Sequence, residues 1–182
     1  MTSSPLWTPD PADASLSTVA RFMAFLGARV GQRLSSYREL HALSVADRAA
    51  FWSAVWDFCG VVGERTDTVL AQDTMPGAVF FPGARLSFAE NLLQRNDHAT
   101  AIVFRGEDKE EARLSFADLH SLVSRLQQWL ESLGVGPGHR VAAMMPNRPE
   151  TVAAMLATVA LGATWSSCSP DFGVHGVLDR FG

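Results

Sequence analysis

A short run of small polar residues has the types and the position that ligand chemistry needs. The triplet SSC at residues 166–168 ends an apolar segment that reads as a buried strand, and Ser169, Pro170 and Asp171 follow directly. In open α/β sheets, ligands collect beyond the carboxyl ends of the strands, where hydroxyl and carboxylate groups offer hydrogen-bond partners. A plain loop between a strand and a helix has the same composition, so the pattern alone leaves both interpretations open.

Other familiar reaction patterns are weaker or absent in the sequence. Cys168 precedes a predicted helix, where a reactive thiolate could sit, but a small buried strand residue is the simpler interpretation. The 5 histidines include no His-x₃-His pair, and the 2 cysteines form no Cys-x₂-Cys pair, so zinc spacing is lacking. Neither a Gly-x-Ser-x-Gly elbow nor a Gly-x₄-Gly-Lys-Ser/Thr phosphate loop occurs. Residues 134–138 (GVGPG) follow a helix and precede a strand, which predicts a turn.

Composition limits the classes of function that remain. The chain has 182 residues, of which 47% are apolar, a share typical of globular proteins. Its formal net charge of −4 gives no long-range attraction to nucleic acid or to an anionic membrane. The first residues resemble no secretion signal, and the longest apolar stretch, 152–163, is far shorter than the ~20 residues that span a bilayer. We therefore expect a cytoplasmic protein that does not insert into membranes.

Helices dominate the first ninety or so residues. Apolar residues recur at intervals of three and four over 15–34, which predicts one amphipathic helix after an irregular arm. Ser44 and Asp47 match a capping box that would open a second helix through residue 58. The segment 75–88, rich in Pro and Gly, predicts an ordered loop with short extended pieces.

Beyond residue 99 the pattern changes to alternating strands and helices. Residues 100–105 and 112–115 predict a β-hairpin, and Ser115 caps a long helix that ends at Gly134. The apolar run 141–145 is typical of a strand that is buried on both faces of a parallel sheet.

A strand–helix–strand unit follows from the next segment. Asn147 and Glu150 match a capping box, and Pro149 fits the first turn of the helix that follows. Residues 163–168 then supply a second buried strand, parallel to the first. The expected fold class is therefore α/β, with a helical N-terminal region followed by the beginning of a βαβ parallel-sheet domain.

From Ala99 onward, the chain resembles the start of the adenylate-forming acyl-CoA synthetase superfamily. The residues that carry the resemblance, 113–172, read RLSFADLHSLVSRLQQWLESLGVGPGHRVAAMMPNRPETVAAMLATVALGATWSSCSPDF. The superfamily's Pro-x-x-Pro-Glu opening to an apolar helix is present at residues 146–150, and its Gly-Ala pair at Gly162 and Ala163. His139 stands where the turn usually has Asp, a change that touches no catalytic role.

The first ninety residues resemble one branch of that superfamily, the acetoacetate–CoA ligases. The resemblance is carried by PLWTP at 5–9, LSVADRAAFWSAVWDF at 43–58 and MPGAVFFPGARLSFAENLL at 75–93. Acetyl- and propionyl-CoA synthetases share the layout but usually have a Trp-Phe-x-Gly-Gly form in the last segment. No residue visibly recognises a β-keto acid, so another short-chain acyl-CoA synthetase and a catalytically inactive binding module stay open as alternatives.

The resemblance implies a reaction in two steps with ATP, CoA and Mg²⁺. ATP and a short-chain or β-keto carboxylate give an acyl-adenylate and pyrophosphate, and the thiol of CoA then displaces AMP. The superfamily places its phosphate loop, its Mg²⁺ site and its catalytic lysine later in the chain. We therefore expect an N-terminal fragment that contains no catalytic residue and that is inactive alone.

The resemblance also implies a domain boundary and a binding loop. Residues 1–98 would be the helical cover region, and residues 99–182 the beginning of the large AMP-binding domain. Counted from Gly162, the loop that faces the pantetheine and nucleotide of CoA falls on Ser169, Pro170 and Asp171. Related acetyl-CoA synthetases have Phe-Gly-Gly there, so the match is one of position and not of chemistry.

Overall fold

The structure is a computed structural model, and it describes residues 6–182. The chain divides into two compact units, Met1–Arg85 and Leu86–Gly182, called here the N-terminal unit and the C-terminal unit. The predicted boundary between residues 98 and 99 concerns the complete AMP-binding domain and stays a prediction. Residues 1–5 of the predicted irregular arm, including Pro5 of the PLWTP segment, lie outside the described residues.

Over residues 6–85, the N-terminal unit contains four helices and one short two-stranded sheet. Its elements are α1 (Pro11–Leu16), α2 (Thr18–Val30), α3 (Tyr37–Ala46), α4 (Arg48–Phe58), β1 (Leu70–Gln72) and β2 (Val79–Phe80). The strands pair antiparallel with Leu70 opposite Phe80, which confirms the short extended pieces predicted there.

The helix predicted over residues 15–34 is wrong in its bounds. Asp10 caps α1 by accepting a hydrogen bond from the amide of Ala12 at 2.8 Å, so helix begins inside the predicted arm. Ser17 then has extended backbone and caps α2 through the amide of Ala20 at 3.1 Å. Ser17 thus ends one helix and caps the next, although the apolar spacing in the sequence continues across it.

The capping box predicted at Ser44 is also wrong. Ser44 lies inside α3, where its hydroxyl donates to the carbonyl of His41 at 2.8 Å. Asp47 itself caps α4, accepting from the amide of Ala50 at 2.9 Å. The reciprocal capping box of this unit lies earlier, at Ser36 and Glu39.

The core of the N-terminal unit combines aliphatic and aromatic side chains. The buried residues of its hydrophobic cluster are Leu26, Leu34, Leu40 and Ala54. The ring of Phe22 packs edge-on against Phe51 and Phe58, with ring centroids 5.6 and 5.1 Å apart. Edge-to-face packing of this kind stabilises helix contacts beyond the area that it buries.

Over its described residues, the C-terminal unit contains two two-stranded sheets, with helices packed beside them. Its elements are α5 (Phe88–Leu92), β3 (Thr100–Arg105), β4 (Glu111–Ser115), α6 (Phe116–Ser132), β5 (Arg140–Met144), α7 (Pro149–Ala160), β6 (Thr164–Cys168), a 3₁₀ helix (Pro170–Phe172) and α8 (Gly173–Phe181). The antiparallel pairing of β3 with β4 confirms the predicted hairpin, and the parallel pairing of β5 with β6 confirms the strand–helix–strand unit.

Helices α5, α6 and α7 enclose the core of this unit. Its buried residues are Ala89, Leu119, Val123, Leu130, Ala153, Leu156 and Ala157. Ser115 caps α6 as predicted, in a reciprocal capping box with Asp118. Gly134 ends α6 with a φ of 79°, a left-handed conformation that favours glycine.

Two local expectations for the sheet region are wrong. In the described chain β5 alternates, with Arg140, Ala142 and Met144 exposed, because its sheet there has two strands and incomplete cover. The cap of α7 is Arg148, which makes no side-chain cap bond, although Pro149 occupies the first turn as predicted. Among the described residues, no helix combines the length and the apolar character needed to cross a membrane.

Candidate functional site

A cavity of about 690 Å³ lies in the C-terminal unit at the carboxyl ends of β5 and β6. Three segments line it: residues 104–107 of the hairpin, residues 145–147 after β5 together with Thr151, and residues 167–172, which include the last two residues of β6. The volume falls within the range of sites that hold small organic ligands. The strand ends therefore form the kind of edge at which α/β sheets bind ligands.

All three residues of the predicted binding loop line this cavity. Ser169 is half-buried, whereas Pro170 and Asp171 are exposed. The Ser169 hydroxyl accepts a hydrogen bond from the Asp171 amide at 3.3 Å and donates to the Asp171 carboxylate at 2.9 Å. These two bonds hold the first turn of the 3₁₀ helix and set the direction of the Asp171 side chain.

The segment after β5 is held to both of its neighbours. The amide of Met145 donates to the carbonyl of Cys168 at 3.1 Å, which continues the β5–β6 ladder beyond the strand. The hydroxyl of Thr151 in α7 donates to the carbonyl of Pro146 at 2.7 Å. Cys168 is a free thiol and is buried, as the simpler interpretation of that residue predicted.

The sequence reasoning missed two charged residues, Glu110 and Arg148, which do not line the cavity themselves but adjoin segments that do. Both terminal nitrogens of Arg148 donate to the carboxylate of Glu110, at 2.6 and 2.8 Å, and the guanidinium lies 5.1 Å from the Phe104 ring centroid. The hydrogen bonds from Arg148 lower the pKa of Glu110, and those to Glu110 raise the pKa of Arg148. The two residues are 38 positions apart in the sequence, so no local sequence pattern predicts the pair.

The GVGPG segment is a turn, as predicted. It joins α6 to β5, and Gly138 has a φ of 85°. The ring nitrogen Nδ1 of His139 lies 3.3 Å from the amide of Gly136, so this histidine supports the turn from within. Over residues 6–182, no three or more His, Cys, Asp or Glu side chains cluster in a way that could hold a metal ion.

Comparisons with known proteins support the fold and the resemblance. Residues 88–180 match the family model of the AMP-binding enzyme, and residues 37–92 match that of the acetyl-coenzyme A synthetase N-terminus. The acetoacetyl-coenzyme A synthetase of Rhizobium meliloti (strain 1021) is 54% identical over 179 residues, which are 98% of this chain. The acetoacetyl-CoA synthetase of Rattus norvegicus is 39% identical over 97% of this chain.

A solved structure has the same fold as this chain. The acetoacetyl-CoA synthetase from Streptomyces lividans matches 98% of the chain with a TM-score of 0.91 and 40% sequence identity. This likeness confirms the predicted fold class. The chain spans 28% of the length of the Rhizobium relative, 27% of the rat relative and 28% of the Streptomyces chain.

Proposed function

Because the chain belongs to the family of AMP-binding enzymes, we propose that it forms the N-terminal part of an acetoacetate–CoA ligase. The enzyme would convert acetoacetate, ATP and CoA to acetoacetyl-CoA, AMP and pyrophosphate. The observation that carries the proposal is the 54% identity to an acetoacetyl-coenzyme A synthetase over 98% of the chain. That identity extends over the N-terminal unit, whose segments resemble the acetoacetate–CoA ligases.

The proposed reaction has two balanced steps. A carboxylate oxygen of acetoacetate attacks the α-phosphorus of ATP, and pyrophosphate leaves with the electrons of the broken P–O bond. The sulfur of CoA then attacks the acyl carbon, the thiol proton is lost, and AMP leaves. Other parts of the protein would supply the contacts to Mg²⁺ and to the phosphates of ATP.

For this chain we propose a role in the second step. Ser169, Pro170 and Asp171 would face the pantetheine arm of CoA. The proposal is supported by their place in a cavity of about 690 Å³ at the carboxyl edge of β5 and β6. Pantetheine has two amide groups, and the cavity offers polar partners for them in Asn147 and Thr151.

We also propose that the protein works in the cytoplasm on small molecules. The formal net charge of −4 favours small molecules over nucleic acid or anionic membranes as partners, since it gives no long-range attraction to either of those.

A substrate panel tests the proposed reaction. The complete protein that contains this chain is incubated with ATP, Mg²⁺ and CoA, and with acetoacetate, acetate, propionate or butyrate in turn. We expect kcat/KM for acetoacetate to exceed that for each other acid by about tenfold or more, which corresponds to about 1.4 kcal/mol of discrimination.

Each other result of the substrate panel would indicate a different class of function. Preference for acetate or propionate would overturn the choice of acetoacetate and leave a short-chain acyl-CoA synthetase, the alternative that the N-terminal family model supports. If no carboxylate stimulates release of pyrophosphate, the ligase assignment fails and a binding module takes its place.

A further inference from the structure

Two walls of the cavity are joined by the ion pair of Glu110 and Arg148. Glu110 lies in the turn of the β3–β4 hairpin, and Arg148 is the cap residue of α7. The carbonyl of Glu110 accepts a hydrogen bond from the amide of Gly106 at 2.7 Å, and Gly106 lines the cavity. A displacement of Glu110 is therefore passed to the hairpin wall through its backbone.

The geometry of this pair differs from that of an ordinary surface ion pair. Most exposed pairs contribute little, because solvent screens them and both side chains lose conformational freedom. Here both oxygens of Glu110 accept from the fork of Arg148, at 2.6 and 2.8 Å. The guanidinium also lies over the ring of Phe104, which further restricts where it can move.

A second ion pair on the same hairpin does not connect the hairpin to α7. Arg105 and Glu111 approach to 2.6 Å, but both side chains are largely exposed, and the pair joins β3 only to β4. Glu110 and Glu111 are thus neighbours in sequence with the same charge. Only the first of them is bonded to the cap residue of α7.

We propose that Glu110 and Arg148 are positioning residues that hold the hairpin wall at the separation from α7 that admits the pantetheine arm of CoA. The inference rests on the proposed function. Without the pair, the hairpin turn samples more positions, and CoA must order it on binding. The apparent affinity for CoA then falls, while formation of the acyl-adenylate, which needs only ATP and the carboxylate, continues.

The test compares two neighbouring variants of the complete protein. Glu110→Gln keeps the size of the side chain and removes its charge, and Glu111→Gln does the same one residue later. We expect Glu110→Gln to raise the KM and the calorimetric Kd for CoA about threefold to fivefold, a size typical of one well-placed ion pair. Glu111→Gln is expected to leave both at the wild-type values.

Two further variants separate positioning from general stability. The exchange Glu110→Arg with Arg148→Glu restores opposite charges between these two positions, so it should recover part of the affinity for CoA that Glu110→Gln loses. The recovery is expected to be partial, because Arg148 also pairs with Glu150 at 3.3 Å and the exchange removes that pair. Arg148→Lys keeps the charge but cannot donate from a planar fork, so it should show a loss close to that of Glu110→Gln. Neither result is expected from residues that only stabilise the fold.

Three results would overturn the inference. They are an unchanged Kd for CoA in Glu110→Gln, an equal rise in Glu111→Gln, and an equal loss in pyrophosphate exchange and thioester formation with a lowered Tm. Failure of the proposed function is a different result, because then the wild-type protein itself shows no carboxylate-dependent pyrophosphate exchange.

Discussion

In the N-terminal unit, ion pairs tie a helix to the segments around it, whereas in the C-terminal unit the Glu110–Arg148 pair joins two segments that line a cavity. Asp57 of α4 pairs with Arg29 of α2 and with Arg65 in the loop that follows, and Arg48 pairs with Asp73. Among the cavities described, none is lined by any of these five residues. Ion pairs thus stabilise packing in the N-terminal unit and, by our inference, hold the walls of a binding site in the C-terminal unit.

The hydrophobic cores of the two units also differ, in composition and in what lies beside them. Helices α2, α3 and α4 surround the N-terminal core, and rings such as Phe22 and Phe51 fill much of it. The C-terminal core is aliphatic and lies between α5, α6 and α7. Beside it, two parallel strands end together and leave polar loop residues around a cavity, and this is where an α/β architecture provides room for a ligand.

The largest predicted effect on stability comes from replacing a buried leucine of either core by alanine. Leu156 in the C-terminal unit is 1% exposed and Leu26 in the N-terminal unit is 0% exposed. We expect Leu156→Ala and Leu26→Ala each to lower the free energy of unfolding by about 3 kcal/mol, since each leaves a cavity. Urea unfolding followed by circular dichroism measures this.

A matched leucine on the surface is the control for those variants. Leu133 is 62% exposed, and Leu133→Ala should change the free energy of unfolding by less than about 0.5 kcal/mol. A core variant that behaves like Leu133→Ala would show that its unit is not packed as described.

A smaller effect is expected at the two reciprocal capping boxes, one in each unit. Ser36 caps α3 and Ser115 caps α6. We expect Ser36→Ala and Ser115→Ala each to cost about 1 kcal/mol, because an amide of the first turn loses its partner. Ser121→Ala, on the exposed side of α6, should cost nothing in the same unfolding experiment, as alanine is the better helix former.

The smallest effect depends on pH and concerns Asp118. The hydroxyl and the amide of Ser115 donate to its carboxylate at 2.6 and 3.0 Å, and these bonds hold the pKa of Asp118 below its usual range. Since the folded pKa is the lower one, ionised Asp118 favours the folded state above the unfolded pKa, near 4. That contribution is lost as the pH falls through the folded pKa.

Asp118→Asn should therefore be less stable than the wild type at pH 7, and the difference should shrink once the pH falls below about 4. Thermal unfolding measured from pH 7 to pH 3 would show this. In a Ser115→Ala background the dependence should weaken, because the donor hydroxyl is gone. A difference that stays constant over this range would contradict the account of the capping box.

Local patterns predicted those parts of the fold that neighbours in sequence determine. The hairpin, the cap at Ser115 and the parallel strands around α7 each depend on residues a few positions apart. The break at Ser17 was missed because the apolar period continues through it. The box at Ser44 was wrong because Asp47 bonds forward to Ala50 and not back to Ser44.

The candidate site likewise has one part that the sequence predicts and one part that it does not. The resemblance, counted from Gly162, predicts a binding loop at residues 169–171, and all three of these residues line a cavity. The hairpin wall and the pair of Glu110 with Arg148 could not be found so, because they come together only when a turn meets a helix cap 38 residues later. Such contacts depend on tertiary structure and leave no spacing to recognise.

The most direct test of the proposed role of this chain is made on Ser169→Trp in the complete protein. Pyrophosphate exchange and thioester formation are measured side by side, with Ser121→Trp as the control for adding a bulky side chain on the exposed side of α6. If the loop faces CoA, the KM for CoA rises about tenfold, equivalent to about 1.4 kcal/mol, while acetoacetate-dependent pyrophosphate exchange keeps its wild-type rate. Equal losses in the two assays would contradict the assignment and leave Ser169 as a residue of an ordinary turn.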